Sequence, residues 1–365
     1  MFEFKKKPKR LGKWFLACCV LMLSSVFLPF GMEEAQALPT SETEEESALK
    51  LVASTSFIGE LCEALVGDDA HIKVLMPRGL NPHSYQPTPR DLAAIEDADL
   101  VFINGLGLEH QLGLPSGGKV ISISESINAL TADHDEHNEH NGHDEHDEHD
   151  GHDEHDEHDE HDEHDEHDEH NGHDEHDGHG GHGGLNPHLW FSPKNMMAGI
   201  ETIRASLSDI KPARDEVYRA REKEYLQRLS LLDTQVREII VNLDEGSRRF
   251  VTDHPFLDYY ARDYGFEIVG YIVNSFSDQA EPSAREISKL VNLLREEDIR
   301  AIFISDSSGK VMKSLAETVV AESGGNIRIV ELPVGSLAPI GKRGSDYFDF
   351  IIYNTELIVE SLSGE

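Results

Sequence analysis

The sequence predicts an α/β protein of two lobes, in which each lobe is a parallel sheet flanked by helices and one long rigid helix joins the two. Strand and helix signals alternate over residues 49–130, and they alternate again over 246–365. A long helical pattern without interruption lies between them. Such alternation is typical of parallel sheets with helices on their faces. With 365 residues, the chain is long enough for two domains of ordinary size.

Apolar runs bounded by turn residues place the elements of each lobe. In the first lobe we predict strands at 49–54, 72–75, 100–103 and 120–123 and helices at 57–66 and 89–97, and we expect residues 185–211 to return to it. In the second lobe, over 246–365, we predict strands at 250–252, 266–273, 301–305 and 327–332 and helices at 256–264, 283–295, 310–322 and 347–362.

The linking helix is predicted over 212–245. From Pro212 to Leu243 apolar residues recur at helical spacing without a glycine, and Gly246 supplies a stop. Roughly thirty helical residues would extend about 45 Å, enough to traverse both lobes as a rigid strut. An ordinary long core helix fits the same pattern, so both interpretations stay open.

The first 37 residues are predicted to be a signal peptide. Six lysines and arginines precede an apolar stretch from Trp14 to Phe30, and Ala35-Gln36-Ala37 then offers small residues for cleavage. An uncleaved anchor is the alternative, although the stretch is near the short end for a membrane span. After cleavage we expect a flexible lead-in over 38–48 and an exported protein, in a periplasm or at the outer face of the membrane. One cysteine, Cys62, then remains, so no internal disulfide can form.

Every third residue from His134 to His182 is histidine, seventeen in all, and Asp, Glu, Asn and Gly fill the gaps. Residues 131–184 contain no lysine or arginine and hold 24 of the 70 acidic residues, a large part of the formal charge of −38. Because this segment has almost no apolar surface to bury, we expect a disordered loop over 131–184. Imidazole is a common ligand for zinc and also suits copper and nickel. We therefore expect the loop to bind metal.

Two function classes fit the sequence poorly. The rest of the chain is only mildly acidic and has no basic face, which argues against nucleic acid as a partner. A zinc hydrolase is the other class. The sequence contains neither the zinc-hydrolase motif His-Glu-x-x-His nor the nucleophile elbow Gly-x-Ser-x-Gly, so we expect that the protein is not an enzyme.

Three histidines outside the run have settings that favour a metal ligand. The triplet Asn-Pro-His occurs twice, ending at His83 and at His188, and its proline restricts the backbone so that each ring direction is largely fixed. His254 follows a predicted strand, and ligands of open α/β sheets lie beyond the carboxyl ends of the strands. His71 and His110 lack such settings, and we expect them to be solvated.

The segments around these histidines form an ordered set of motifs. They are Gly79-Leu80-Asn81-Pro82-His83-Ser84-Tyr85, Asn104-Gly105-Leu106-Gly107-Leu108-Glu109, Pro187-His188-Leu189-Trp190, and His254 followed by Tyr259 and Tyr264-Gly265-Phe266. This set resembles the metal-binding solute receptors of ABC importers, the cluster A-I family of zinc and manganese receptors. The resemblance covers nearly all of the chain from Leu49 to Leu362. It implies two lobes joined by one long helix, a metal in the interlobe cleft, and His83, His188 and His254 as ligands.

The resemblance also bears on the choice of metal. Manganese receptors of the family usually have Glu where this chain has His254, and nitrogen donors suit zinc whereas oxygen donors suit manganese. Family members commonly place an Asp just after the last strand, where this chain has Gly335. Zinc prefers four ligands, so we expect Asp306, a water or a histidine of the run to complete the set, with Asp306 as the best protein candidate.

The expected function is that of an extracytoplasmic high-affinity receptor, which delivers Zn²⁺ as the transported ligand to an ABC permease driven by a separate ATPase. We expect a monomer. A manganese or iron receptor of the same family and a surface adhesin are the alternatives. For the run at 134–182 we predict zinc scavenging, with a merely solubilising spacer as the alternative. Because tight binding needs neutral imidazoles, affinity should fall as the pH drops through about 6.5.

Overall fold

The computed structural model describes residues 48–115, 117–131, 184–276 and 281–364. These ranges contain two four-stranded parallel sheets with helices packed on their faces, which confirms the predicted fold class. The predicted signal peptide and the histidine run lie outside the described residues. Within them, no helix combines the length and the apolarity that a membrane span requires.

The first lobe contains one sheet and three helices. Its strands are β1 (Leu49–Thr55), β2 (Ala70–Met76), β3 (Leu100–Ile103) and β4 (Val120–Ser122), and its helices are α1 (Ser56–Val66), α2 (Pro89–Asp97) and α3 (Pro193–Ile210). The strand order is β2-β1-β3-β4. The sequence did not lead us to predict α3, although Ser192 and Pro193 form a helix start, with Ser192 Oγ accepting from Asn195 N at 3.2 Å.

The second lobe repeats this topology. Its strands are β5 (Arg249–Thr252), β6 (Glu267–Tyr271), β7 (Ala301–Ser305) and β8 (Arg328–Leu332), in the order β6-β5-β7-β8. Its helices, numbered after the linking helix α4, are α5 (Asp258–Tyr264), α6 (Ala284–Glu296), α7 (Gly309–Ser323) and α8 (Tyr347–Ser363). In both lobes the strand order reverses beside the first strand, so each sheet has a switch point at the carboxyl ends of its two central strands.

The linking helix α4 spans Asp215–Ile240, which gives about 39 Å at 1.5 Å per residue. It packs against α1 and α3 of the first lobe and against α8 of the second, as the strut interpretation requires. The predicted end at Gly246 was wrong by several residues. Arg248 donates to the carbonyl oxygens of Leu243 at 3.1 Å and Ile240 at 3.4 Å, and this side chain satisfies the helix end in place of a glycine.

The largest apolar cluster of the described residues is shared by both lobes. It contains Cys62 on α1, whose thiol is buried, and burial raises the pKa of that thiol. Smaller clusters fill the outer faces, with Val101 of β3 and Ile95 of α2 in the first lobe and Ile302 of β7 and Leu290 of α6 in the second. Each sheet is therefore buried on both faces, as is usual for parallel strands.

A short bridge closes the base of the segment that carries the histidine run. Thr131 and Leu185 pair in an isolated antiparallel bridge, and Asn186 N donates to the carbonyl oxygen of Leu130 at 2.8 Å. Leu130 N in turn donates to the Tyr259 hydroxyl of the second lobe at 3.2 Å. The C-terminal end of the segment thus lies two or three residues before His188, and the bridge holds the N-terminal end beside it.

The lobes meet along an interlobe seam, formed by Ser56, Phe57, Glu60 and Trp190 of the first lobe and Val334, Leu337, Tyr347 and Phe350 of the second. Trp190 stacks on Phe57 with ring centroids 5.2 Å apart, and its indole N–H donates to the Val334 carbonyl oxygen at 2.9 Å. The Tyr347 hydroxyl donates to the Trp190 carbonyl oxygen at 2.8 Å. The indole N–H of Trp190 and the hydroxyl of Tyr347 thus both have acceptors inside the seam, so these two side chains are buried there without an unpaired donor.

Glu60 is the buried carboxylate of this seam. It accepts from Tyr347 N at 3.0 and 3.1 Å and from the Tyr225 hydroxyl of α4 at 3.3 Å. Burial raises the pKa of Glu60 to about 6, although the Tyr347 N–H and, to a smaller degree, Arg78 oppose this rise. Above pH 6 the seam therefore holds an ionised group at a cost in folding free energy.

We expect Glu60→Gln to remove this cost, because its amide oxygen still accepts from Tyr347. The pKa of Glu60 in the folded protein lies above the ordinary value of 4.5. The ionised carboxylate therefore destabilises the fold above pH 6, and this destabilisation decreases as the pH falls from 6 to 4.5 and the carboxylate is protonated. The stability of E60Q minus that of the wild type should thus be about 1.5 kcal/mol larger at about pH 7.5 than at about pH 4.5. Denaturant unfolding of both proteins at the two pH values measures it, and equal differences would contradict the assignment.

Candidate metal centre

The three predicted histidines come together between the lobes. Each of His83, His188 and His254 offers one ring nitrogen, and these nitrogens all lie within 4.8 Å of one another. His83 Nε2 and His188 Nε2 are 3.0 Å apart, and the ring centroids of His188 and His254 are separated by 5.1 Å. Zinc–nitrogen bonds of about 2.0 Å give a tetrahedron edge of about 3.3 Å, so small movements would fit a metal between the rings.

His83 lies on the turn that follows β2. The turn is a short 3-10 helix, Pro82–Ser84, in which Asn81 Oδ1 accepts from His83 N at 2.9 Å. Pro82 at the first position fixes the backbone, as the sequence indicated. His83 is half-buried, whereas His188 and His254 are buried, so the group is most accessible on the side of His83.

His188 precedes the 3-10 helix Leu189–Phe191 and is completely buried. Asn186 Oδ1 accepts from both the backbone N–H and Nδ1 of His188, at 3.0 and 2.9 Å. Because an amide oxygen cannot donate, Nδ1 carries the proton of the neutral ring and Nε2 presents its lone pair. Burial lowers the pKa of His188 well below its ordinary value, and the neighbouring His83 and His254 lower it further. The imidazole therefore stays neutral at physiological pH, as a metal ligand must.

His254 directly follows β5, beside the switch point of the second sheet. Its Nδ1 donates to Asp253 Oδ1 at 2.8 Å, which leaves Nε2 as the nitrogen that can hold a metal. The other oxygen of Asp253 accepts from Ser305 N of β7 at 3.0 Å and from the Ser308 hydroxyl. Burial tends to raise the pKa of Asp253, but His254 and these donors outweigh it, so its pKa lies below the ordinary value. An ionised, firmly held carboxylate therefore orients the ring.

The switch point of the first sheet supports His188 in a different way. Glu109 is a buried carboxylate that accepts from the Ser54 hydroxyl at 2.7 Å, Asn104 N at 2.8 Å and Gly105 N at 2.9 Å. Asn104 then donates through Nδ2 to the carbonyl oxygen of Pro187 at 2.9 Å. The segment Asn104–Glu109 thus links the ends of β1 and β3 to the turn that carries His188.

The expectation that Asp306 supplies a fourth ligand does not agree with the structure. Asp306 is not part of the group of ligand atoms, and its Oδ1 accepts instead from Val334 N at 3.3 Å. Burial raises the pKa of Asp306. The carboxylate therefore holds the loop after β8.

Gly335 contacts the first Asn-Pro-His turn directly. A Cβ atom at residue 335 would lie 2.6 Å from Pro82 Cδ and 3.6 Å from Asn81 Cα. No side chain fits at this position without movement of the turn that carries His83. The space that a side chain at residue 335 would need is thus filled by Pro82.

The remaining histidines of the described residues lie away from this group. His71 and His110 are exposed, as expected for solvated side chains. The histidines of the run at 134–182 lie outside the described residues.

Sequence reasoning missed two residues that orient the rings. Asn186 was noted only as part of its triplet, and Asp253 only as a neighbour of His254. The available signal was local: an Asn or Asp one or two residues before a ligand histidine can reach its Nδ1. The sequence could not show that the other polar atom of each side chain bonds a different segment. Asn186 Nδ2 donates to the Pro255 carbonyl oxygen, and Asp253 Oδ2 accepts from Ser305 N.

We expect Gly335→Ala to weaken metal binding by displacing Pro82 and with it His83. A loss on the order of tenfold in zinc affinity is reasonable for an indirect displacement of one ligand. Gly246→Ala is the matched control, because a Cβ there meets nothing within 4 Å. Competition with a chromogenic zinc chelator measures both variants. Equal affinities of the two variants would show that the turn tolerates the methyl group.

Comparisons with known proteins agree with this architecture. The profile of the family described as "ZnuA: Zinc-uptake complex component A periplasmic" matches residues 51–361. The chain is 27% identical to the "Manganese-binding lipoprotein MntA" of Halalkalibacterium halodurans over 89% of this chain and 92% of that protein. It is 28% identical to the "Zinc-binding protein AdcA" of Streptococcus pyogenes over 93% of this chain and 60% of that protein.

A solved structure supports the fold independently. The periplasmic zinc binding protein TroA from Treponema pallidum superposes with a TM-score of 0.65 at 24% identity, and the match covers 87% of this chain and 99% of that one. Two parallel-sheet lobes with a helix between them are thus an arrangement already observed. Because the family profile spans nearly all of the described residues, the chain belongs to the ZnuA family of metal-binding solute receptors of ABC importers.

Proposed function

We propose that the protein is a high-affinity zinc receptor, which captures Zn²⁺ between its lobes and delivers it to an ABC permease. The observation that carries this proposal is the convergence of three imidazole nitrogens, two of them on buried rings whose Nδ1 atoms are already held by protein acceptors. A group preorganised in this way loses little entropy on binding a metal. The histidines hold the ion as cargo, and no bond is broken.

Zinc is favoured over manganese by the donor atoms. Within the part of the chain that the structure describes, the group consists of three nitrogens without a carboxylate oxygen, and nitrogen suits zinc whereas oxygen suits manganese. The contact between Gly335 and Pro82 leaves no room for a carboxylate at residue 335. Manganese is the competing candidate, since the relative MntA is named for it.

The family indicates where the protein would act and with which partners. We infer a location outside the cytoplasm, reached through the signal peptide predicted at 1–37, with a membrane permease and its ATPase as partners. The names of the family and of the relative MntA, periplasmic component and lipoprotein, support such a location. Zn²⁺ would be received on the accessible side of His83 and released when the lobes move apart.

We expect His83→Ala, His188→Ala and His254→Ala each to reduce zinc affinity by at least about 100-fold, because zinc would keep only two protein ligands. His110→Ala, at an exposed histidine, is the control and should bind zinc as the wild type does. Chelator competition at about pH 7.5 measures all four. Repeating the titration at about pH 5.5 should show weaker binding, since protons compete for the imidazoles.

The same proteins distinguish the metals. Zn²⁺ should displace Mn²⁺ from the wild type at equal concentrations, as followed by the electron paramagnetic resonance signal of released Mn²⁺. Retention of Mn²⁺ would assign the protein to manganese. Tight binding of zinc that survives all three alanine substitutions would contradict the site itself, since only the weak binding expected of the run at 134–182 should remain.

For the run at 134–182 we propose zinc scavenging. Seventeen histidines at intervals of three supply many weak sites, which raise the time-averaged zinc concentration near the tight one. We expect deletion of 134–182 to leave one tight zinc per molecule and to remove several weak ones, as measured by isothermal titration calorimetry. Loss of the tight site would mean that the run supplies a ligand, and an unchanged number of weak sites would favour a spacer.

A further inference from the structure

The two Asn-Pro-His triplets are alike in sequence but differ in their hydrogen bonds. In the first, Asn81 Oδ1 accepts from the backbone N–H of His83 at 2.9 Å, and Asn81 is half-buried. In the second, Asn186 is completely buried and also bonds the imidazole of His188. The second asparagine therefore acts on the ring as well as on the backbone.

The amide of Asn186 faces both lobes at once. Its oxygen accepts the two N–H groups of His188, at 3.0 and 2.9 Å. Its nitrogen donates to the carbonyl oxygen of Pro255 and to Asp258 Oδ2, both at 2.9 Å. Pro255 directly follows His254, so one planar group joins the ring of the second ligand to the residue next to the third. The amide flip is fixed, because two donors face the oxygen and two acceptors face the nitrogen.

The contacts continue into the second lobe on either side of Asn186. Asp258, at the start of α5, also accepts through Oδ1 from the Tyr271 hydroxyl at 3.1 Å. The Tyr259 hydroxyl donates to the backbone carbonyl oxygen of Asn186 at 2.8 Å. Asn186 is thus held by α5 and by the loop that precedes it in one lobe, while it orients a ligand of the other.

We propose that Asn186 is a positioning residue that couples the packing of the two lobes to the geometry of the metal ligands. Separation of the lobes breaks the bonds of its amide nitrogen to Pro255 and Asp258, and it releases the ring of His188 from a fixed orientation relative to His254. The metal therefore remains bound only while these bonds are intact. This inference rests on the proposed function, since it requires that the three histidines bind the metal.

Coupling between the lobes requires an asparagine at residue 186, because the side chain must donate hydrogen bonds. An aspartate would suffice if residue 186 only oriented the ring of His188. An aspartate at residue 186 can still accept both N–H groups of His188, and its charge would strengthen those bonds. It cannot donate to Pro255 or Asp258, and it would place a second carboxylate against Asp258 inside the protein. Asn186→Asp therefore separates orientation of the ring from coupling between lobes.

The test measures the rate of zinc dissociation from the full chain by stopped flow with a chelator in excess. We expect N186D to release zinc about 10- to 100-fold faster than the wild type. In the exchanged pair, Asn186→Asp with Asp258→Asn, residue 258 donates to residue 186 and still accepts from Tyr271. We expect this double variant to recover at least half of the loss on a logarithmic scale, because one bond between the lobes is restored.

Asn354→Asp is the matched control. Asn354 is a buried asparagine of α8 whose amide donates to the Phe350 carbonyl oxygen at 3.0 Å, away from the histidines. N354D should lower the thermal stability of the metal-free protein but change the zinc dissociation rate less than twofold. A similar acceleration in N354D would mean that any buried carboxylate loosens the site, and the proposal would be wrong.

The remaining outcomes are also decisive. An N186D protein that holds zinc as long as the wild type, or a double variant no slower than N186D, would overturn the coupling. Should N186D not fold without metal, Asp258→Ala alone carries the test, because it removes one acceptor of the Asn186 amide nitrogen; the expected acceleration is about threefold to tenfold, and an unchanged rate overturns the coupling. A wild type whose tight zinc binding does not need the histidines would instead refute the proposed function.

Discussion

The packing of Trp190 between the lobes connects the two turns that carry His83 and His188. This side chain stacks on Phe57 of the first lobe and donates to Val334 of the second, and it follows His188 by only two residues. Val334 in turn precedes Gly335, which contacts Pro82 of the first turn. One aromatic side chain therefore sets the relative positions of both Asn-Pro-His turns. A protein interior of this density resists gradual deformation, so the lobes must separate as units.

Among the described residues, the group of candidate ligand atoms contains no carboxylate. Three neutral imidazoles would leave the charge of a bound dication uncompensated inside the protein. Asp253 lies behind His254, and Asp258 lies behind Asn186, so two buried carboxylates stand one hydrogen bond or two from the ligands. Such outer groups raise the basicity of an imidazole and stabilise the metal from a distance. The donor set can therefore stay rich in nitrogen while the surroundings supply negative charge.

Periodicity and turn chemistry predicted the strands and helices well because each element is locally consistent. The bounds of α2, β3 and β7 were predicted to the residue, and the capping box of Thr88 and Asp91 shows why α2 begins where it does. The end of α4 was missed because a distant arginine, Arg248, satisfies its carbonyls. No local pattern contains that information.

In the candidate site, too, some residues could be predicted from the local sequence and others could not. Stiff turns and strand ends identified the three histidines, since these properties are written in neighbouring residues. The role of Asp306 was misjudged, because proximity to a strand end does not tell which partner a carboxylate takes, and here it takes Val334. The steric conflict between residue 335 and Pro82 and the reach of Asn186 to Pro255 depend on how the lobes pack. Contacts between lobes are the part that sequence reasoning could not supply.

The bridge between Thr131 and Leu185 has a consequence for the evolution of the chain. Tandem repeats of three residues are prone to gain and lose units, and each change alters the contour length between these two positions. The bridge keeps their separation constant, and the entropic cost of closing a loop rises by only about 0.6 kcal/mol for each doubling of its length. The number of repeats between Thr131 and Leu185 can therefore change at a small cost in folding free energy while the geometry around His188 is inherited unchanged.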